Sequence, residues 1–142
     1  MKKIINFSLF LASITILLIS ACEPVDNPTD GDSRDSYLGE WQFYETNKST
    51  ENQSYIVAIT KDPNNSSQVI LGNFGNSGSN NISAKGIVTS SQIVVSSQQM
   101  SNNWIVDGNG EFDNSNKTSM TWTFSITAGG TLDTYHATAT KL

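Results

Sequence analysis

The sequence contains little of the chemistry that most catalytic and metal sites use. Its 142 residues include one cysteine, Cys22, and one histidine, His136. No disulfide can form within the chain, and a zinc finger or a histidine-rich metal site cannot be assembled from two such residues. A serine nucleophile would need His136 as its base, and no Gly-x-Ser-x-Gly elbow occurs. We therefore predict no cofactor, no metal site and no enzymatic activity, with His136 on the surface or at the edge of the core.

Positive charge is also scarce. The chain has 8 Lys and Arg residues against 13 Asp and Glu residues, a formal net charge of −5, and Arg34 is its single arginine. Such a chain lacks the basic patches with which proteins bind nucleic acid or adhere to anionic lipid. We predict no nucleic-acid partner and no membrane contact through basic side chains.

Three carboxylates form the one pattern that could support catalysis. Asp107, Glu111 and Asp113 lie close together in the sequence, and paired carboxylates serve in glycoside hydrolysis and in calcium binding. Asp107 and Asp113 also flank a glycine-rich strand and a turn, where solvated acids are expected. A carboxylate-dependent hydrolase is therefore kept only as an alternative function.

The N-terminus carries the most informative pattern. Lys2 and Lys3 precede an almost uncharged apolar run over residues 4–19. This order of charge and apolar segment, ended by small residues, predicts a secretory signal peptide over residues 1–21, since the run is too short and wrongly flanked for a spanning helix. The sequence Ile19-Ser20-Ala21-Cys22 resembles a bacterial lipobox. The resemblance implies cleavage before Cys22 and attachment of diacylglycerol to its thiol.

Lipidation at Cys22 predicts a protein anchored to the outer membrane, on its periplasmic or its surface face. A lipoprotein cysteine carries two or three acyl chains, which hold a protein firmly, whereas one chain binds only marginally. The alternative is an ordinary secreted protein that keeps a cysteine near its cleavage site. The absence of a second cysteine that could pair with Cys22 favours lipidation.

Residues 22–36 are rich in Pro, Asp, Asn, Thr, Gly and Ser. This composition buries too little apolar surface to offset the entropy of ordering, so the segment is predicted to be a disordered acidic tether. Its acidic residues resemble export signals that send some lipoproteins of Gram-negative bacteria to the cell surface. A solvated linker without that role is the alternative.

From Tyr37 onward, short apolar runs are separated by polar turns in the manner of an all-β sandwich or barrel. We predict eight strands, at residues 38–46, 54–61, 68–74, 81–89, 92–98, 103–112, 118–127 and 132–141. Their hairpin-length connections favour an antiparallel up-and-down barrel over residues 37–142, because closure removes the exposed edges of the sheet. A two-sheet sandwich made of the same strands is the alternative.

Alternation within the strands predicts the side chains that face the interior. Trp41 and Phe43 share one face of the first strand, and Trp122 lies on the apolar face of the seventh. The other members of predicted inward faces are Tyr55, Val57, Ile59, Met120, Phe124, Ile126, Tyr135, Ala137 and Ala139. Gly108 and Gly110 inside the sixth strand predict a bulge or a close approach of two backbones.

The span 37–142 resembles the small lipocalin-like domains of bacterial lipoproteins. Gly39-Glu40-Trp41, at the start of the first strand, matches the Gly-x-Trp signature of lipocalins and related calycins. The resemblance implies an eight-stranded barrel with Gly39 and Trp41 closing one end. The chain departs from the pattern because no arginine follows Arg34, so the late-strand arginine that packs over the tryptophan is missing. We predict that Lys141 covers Trp41 instead.

Two classes of function follow from these observations. The first is a monomeric, lipid-anchored binding or accessory module for a small apolar ligand, a glycan or an envelope protein. Trp104 and Tyr135, beside loops rich in amides and hydroxyls, are its candidate binding residues. The second is a structural envelope lipoprotein whose barrel is filled. An eight-stranded barrel is either filled by side chains or wide enough for one small ligand, so the size of its interior distinguishes the two classes.

Overall fold

The chain forms a closed barrel of eight antiparallel β-strands. The computed structural model describes residues 31–46 and 52–142. The strands are β1 (Gly39–Thr46), β2 (Gln53–Lys61), β3 (Gln68–Gly72), β4 (Ser83–Val88), β5 (Gln92–Gln99), β6 (Ile105–Phe112), β7 (Ser119–Ala128) and β8 (Thr131–Lys141). The part of the chain that the structure describes also has two short 3₁₀ helices, Ser33–Ser36 and Phe74–Asn76, and none of its helices has the length and apolar character needed to cross a bilayer.

Each strand pairs with the next in the sequence, and β8 returns to pair with β1. Trp41 lies opposite Lys141, and Thr46 lies opposite His136, so the closing pair extends along most of β1. The predicted up-and-down barrel is confirmed, and the two-sheet sandwich is wrong. Closure satisfies the backbone groups of both outer strands, which a sandwich would leave at exposed edges.

The predicted alternation of inward and outward side chains is confirmed on the long strands. Trp41, Phe43, Trp122 and Phe124 are at most 1% exposed, whereas Thr121 and Thr123 lie on the outside. Because successive side chains of a strand point to opposite faces, this pattern places one apolar face of each strand in a single core.

The glycines of β6 allow two aromatic rings to pack against the backbone. A Cβ added at Gly110 would meet the Trp122 ring, and one added at Gly108 would meet Phe124. Of the two alternatives predicted from these glycines, the close approach is confirmed. The bulge lies in the neighbouring strand β5, where the register shifts between Val95 and Gln98.

One end of the barrel, the closed end, is covered by residues around Trp41. The Trp41 Nε1–H donates to the Tyr37 carbonyl oxygen at 2.7 Å, and the Tyr37 and Phe112 rings stack with centroids 4.5 Å apart. The Lys141 Nζ lies 5.5 Å from the centroid of the Trp41 ring and donates to the Ser36 carbonyl oxygen at 3.0 Å. Lys141 therefore covers Trp41 as predicted. Gly39 adopts φ +118°, a backbone conformation that other residues rarely reach.

The predicted tether is wrong at its C-terminal end, because Asp32 to Ser36 are packed against the closed end. Arg34 is 9% exposed, and its Nη1 donates to the Asn65 carbonyl oxygen at 2.9 Å. Its guanidinium also pairs with Asp32, whose carboxylate reaches Lys61 at 2.8 Å. Composition indicated disorder here, but it could not reveal that Arg34 would find carbonyl acceptors in a distant turn. The predicted signal peptide, Cys22 and the tether as far as residue 30 lie outside the described residues.

Candidate functional site

A pocket of about 320 Å³ lies at the end of the barrel opposite Trp41, the open end. Its lining residues come from four strands and from two of the connections between strands. They are Glu45, Gln53, Gly75, Asn76, Trp104, Ile126, Ala128, Asp133 and Tyr135. The pocket is large enough for one small molecule.

The two candidate binding residues, Trp104 and Tyr135, lie in this one pocket although 31 positions separate them. Trp104 directly precedes β6, and Tyr135 is an inward residue of β8. Both are half-buried, and the Tyr135 ring stacks on Phe124 with centroids 5.3 Å apart. The structure thus brings the predicted pair together, while their role in binding stays a prediction.

The second 3₁₀ helix forms the floor of the pocket, on the side that faces the middle of the barrel. Phe74 is fully buried, with its ring 5.5 Å from Trp122 and 5.0 Å from Phe124. The ring of Phe43 lies 5.6 Å from that of Trp122, so aromatic side chains fill the middle of the barrel. Residues 68–74 were predicted as one strand, but β3 ends at Gly72 and the chain then turns inward. This turn confines the pocket to the mouth of the barrel.

Glu45 is a functional candidate that the sequence reasoning missed. It is 4% exposed, and the Tyr55 hydroxyl donates to its Oε2 at 2.8 Å. Burial raises the pKa of the Glu45 carboxyl, an effect that the hydrogen bond from Tyr55 opposes. The signal was present in β1, since Glu45 follows Trp41 and Phe43 at the two-residue spacing of the inward face.

The rim of the pocket is polar. Asn76 Nδ2 donates to Gln53 Oε1 at 2.7 Å, which joins the second 3₁₀ helix to β2. Asp133, at the start of β8, adds a second carboxylate to the lining. The arrangement offers apolar and aromatic walls together with acceptors for hydrogen bonds, which suits noncovalent binding.

The other sequence candidates lie elsewhere. His136 is on the outer face of β8, with Nδ1 3.2 Å from Thr123 Oγ1. Asp107, Glu111 and Asp113 are exposed, none of them lines the pocket, and Asp113 accepts a hydrogen bond from Ser119 Oγ at 2.8 Å. Within residues 31–46 and 52–142, no group of three or more His, Cys, Asp or Glu residues could hold a metal ion.

Comparison with known proteins extends the description of the fold. No protein-family model and no curated protein matches the chain. Among solved structures, the redesigned β-barrel b11L5F_LGL is 15% identical, with a TM-score of 0.54 over 78% of this chain and 96% of the other. EF1p2_mFAP2b bound to DFHBI is 13% identical, with a TM-score of 0.54 over 79% of this chain and all of the other.

A third structure, the redesigned barrel mFAP1 bound to DFHBI, is also 13% identical, with a TM-score of 0.51 over 78% of this chain and all of the other. Identities this low show a shared barrel architecture and nothing finer.

Proposed function

We propose that this protein is a lipid-anchored envelope lipoprotein whose barrel binds a small ligand in the pocket at its open end. The observation that carries the proposal is the pocket of about 320 Å³, lined by Trp104 and Tyr135 and by the buried carboxyl of Glu45. Ligand sites of this kind combine apolar walls with a few fixed polar groups, and the mouth of a β-barrel is a usual place for them.

Two further observations support a binding role. Two of the solved barrels with this architecture are bound to DFHBI, a small molecule, in their structures. The burial of Glu45 also supports a binding role. A buried carboxyl destabilises the fold, and an apolar residue at this position would not.

Anchoring rests on the lipobox at Cys22 and agrees with the position of the packed N-terminal segment. Asp32 to Ser36 lie at the closed end, through the contacts of Arg34 and Lys141. A tether from Cys22 would therefore join the membrane to the closed end. The pocket would open at the opposite end, accessible to ligands from solution.

A screen of a small-molecule fragment library by ligand-observed NMR tests the binding role. The sample is the mature full chain in lipid nanodiscs, with empty nanodiscs as the blank. Ala128→Phe should abolish the binding of every hit, because the new ring fills the pocket that Ala128 lines. Thr121→Phe, on the outer face of the same strand, is the matched control and should bind normally. Hits that bind equally to both variants would show that the pocket is not the site.

A structural envelope lipoprotein is the second candidate function. It is favoured by the filled middle of the barrel, where the rings of Phe43, Phe74 and Trp122 pack together and leave no room for a ligand below the mouth. Such a protein would act through its polar loops on an envelope protein or a glycan. A fragment screen without hits in the pocket would favour this function over ligand binding.

A further inference from the structure

We infer that the pocket selects a ligand that carries a positively charged amine on a small apolar or aromatic body. The inference rests on the proposed ligand-binding function and adds the chemical class of the ligand. It follows from the charge of the pocket, the environment of Glu45 and the nature of the walls.

The charged groups among the described lining residues are both acidic. Glu45 lies within the pocket and Asp133 lies on the strand that carries Tyr135. Apart from the aromatic side chains of Trp104 and Tyr135, the other polar lining residues are the amides Gln53 and Asn76, which bond to each other. An anionic ligand would be repelled by the two carboxylates, whereas a cation would be attracted.

Glu45 has no ionic partner in the described part of the chain. The four ion pairs there join Arg34, Lys61 and Lys85 to Asp32, Asp35 and Asp62, and none of these residues lines the pocket. At 4% exposure, the ionised carboxyl is poorly solvated, and the hydroxyl of Tyr55 offsets only part of that cost. A bound ammonium group would supply both a countercharge and hydrogen-bond donors.

The walls suit the rest of such a ligand. Trp104 and Tyr135 present aromatic rings, whose faces attract cations within about 6 Å. Ile126 and Ala128 add apolar surface on the same side of the pocket. A charged amine could therefore lie near Glu45 while its apolar body contacts these rings and side chains.

A structural role for Glu45 is the competing explanation, in which the carboxylate serves only to accept the hydrogen bond of Tyr55. Glu45→Gln separates the two roles, because the amide oxygen can still accept that bond while the charge is lost. If Glu45 selects a cation, this variant loses affinity for amines without losing folded stability.

Three probes of nearly equal size test the charge preference: 2-phenylethylamine, 2-phenylethanol and 3-phenylpropionate. They are titrated into the mature full chain in nanodiscs by ligand-observed NMR, with empty nanodiscs subtracted for membrane partition. We expect the amine to bind about tenfold more tightly than the alcohol, and the acid to bind least. Glu45→Gln should remove this advantage, and Asp133→Asn should reduce it. Glu111→Gln, on the outer face of β6, is the matched control and should leave it unchanged.

Equal or tighter binding of the alcohol or the acid would overturn the inference and leave the proposed ligand-binding function in place. Binding of none of the three probes would also overturn it, while the fragment screen would still decide the proposed function. An amine preference that survives in both Glu45→Gln and Asp133→Asn would overturn the assignment of these carboxylates.

Discussion

At the scale of single residues, two tryptophans share full burial but differ in how their N–H groups are satisfied. Trp41 and Trp122 are both 0% exposed. Trp41 donates to the Tyr37 carbonyl oxygen at 2.7 Å, whereas the buried Nε1–H of Trp122 has no hydrogen-bond partner among the residues that the structure describes. An unpaired buried donor costs about 1–3 kcal/mol, so Trp122 is held in place by its ring contacts against that cost.

This difference predicts a ranking for substitution by phenylalanine. Trp41→Phe should cost more than Trp122→Phe, because the first leaves the Tyr37 carbonyl without its donor and the second removes an unpaired one. Trp104→Phe should cost least, since Trp104 is only half-buried. Alanine at either buried site should cost about 3–5 kcal/mol. Urea unfolding of the three variants measures the ranking, and a loss at Trp104 equal to the other two would contradict its place at an accessible pocket.

A second prediction concerns the stability of Glu45→Gln as a function of pH. Burial raises the pKa of the Glu45 carboxyl above its ordinary value of 4.5, so the folded chain holds this proton more tightly than the unfolded chain. The free energy of unfolding therefore falls as pH rises from 4.5 through the raised pKa. Tyr55, Asp133 and Tyr135 are the titratable neighbours in the described part of the pocket.

Glu45→Gln should thus raise the melting temperature at pH 7 and have little effect below about pH 4. Thermal melts of both chains across that range provide the measurement, with Glu111→Gln as the exposed control. A variant less stable than the original at pH 7 would show that the carboxylate stabilises the fold.

At the scale of elements, β6 and β7 are joined through two glycines and two rings. A side chain at Gly110 would occupy the space of the Trp122 ring, which contacts the backbone of β6. Overpacking of this kind typically costs about 1–3 kcal/mol. Gly110→Ala should therefore destabilise the barrel, and the loss should shrink in a Trp122→Leu background, where the ring is absent.

A double-mutant cycle by urea unfolding measures this coupling. The control is Asn109→Ala, a substitution on the outward face of β6. Gly129→Ala would not serve, because φ is +58° there and alanine would be strained. Additive losses for Gly110→Ala and Trp122→Leu would contradict a direct contact between the two positions.

The N-terminal 3₁₀ helix gives a prediction about the closed end. The Arg34 guanidinium contacts carbonyl oxygens of the 62–68 turn, and its hydrogen bonds, with those of Lys61, hold the pKa of Asp32 well below its usual range. Removal of residues 23–31 should leave the melting temperature unchanged, whereas removal of residues 23–36 or Arg34→Ala should lower it by several degrees.

The loss caused by Arg34→Ala should be present at pH 7 and should shrink as pH falls below the ordinary carboxyl pKa of 3.8, because protonation of Asp32 removes its attraction for Arg34. Arg34→Lys keeps the charge without the planar array of donors and should restore only part of the stability. Equal melting temperatures for the two truncated chains would show that the helix contributes nothing to the fold.

At the scale of the whole molecule, the anchor can be tested separately from the barrel. Cys22→Ser should abolish lipid attachment, because the thiol alone can accept the diacylglyceryl group, and the protein should leave the membrane fraction. Fractionation of cells with a high-salt wash, followed by immunoblotting, measures this. Retention of the variant in the membrane after the wash would contradict the lipobox interpretation. Ser20→Thr is the control, because it keeps the Cys22 thiol and should stay in the membrane fraction.

The architecture of the barrel could be predicted from the sequence because strand alternation is a local signal. Each predicted strand overlaps the observed one, and the inward positions of β7 follow directly from the apolar residues Met120 to Ile126. The cover of Trp41 by Lys141 was likewise predictable once closure between the first and last strands was assumed. Trp104 and Tyr135 were identified as candidates, but nothing in their spacing showed that they share a pocket.

Only the tertiary structure decided which polar residues became buried. The alternation in β1 leaves Glu45 facing inward, but its exposure depends on Tyr55, on the second 3₁₀ helix and on β8, which come from distant parts of the sequence. Arg34 is buried for the same reason, since its acceptors lie about thirty residues away. Sequence periodicity fixes the direction of a side chain relative to its own strand. Burial, pocket volume and pKa depend on what the other strands place opposite it, and those contacts exist only after the barrel has closed.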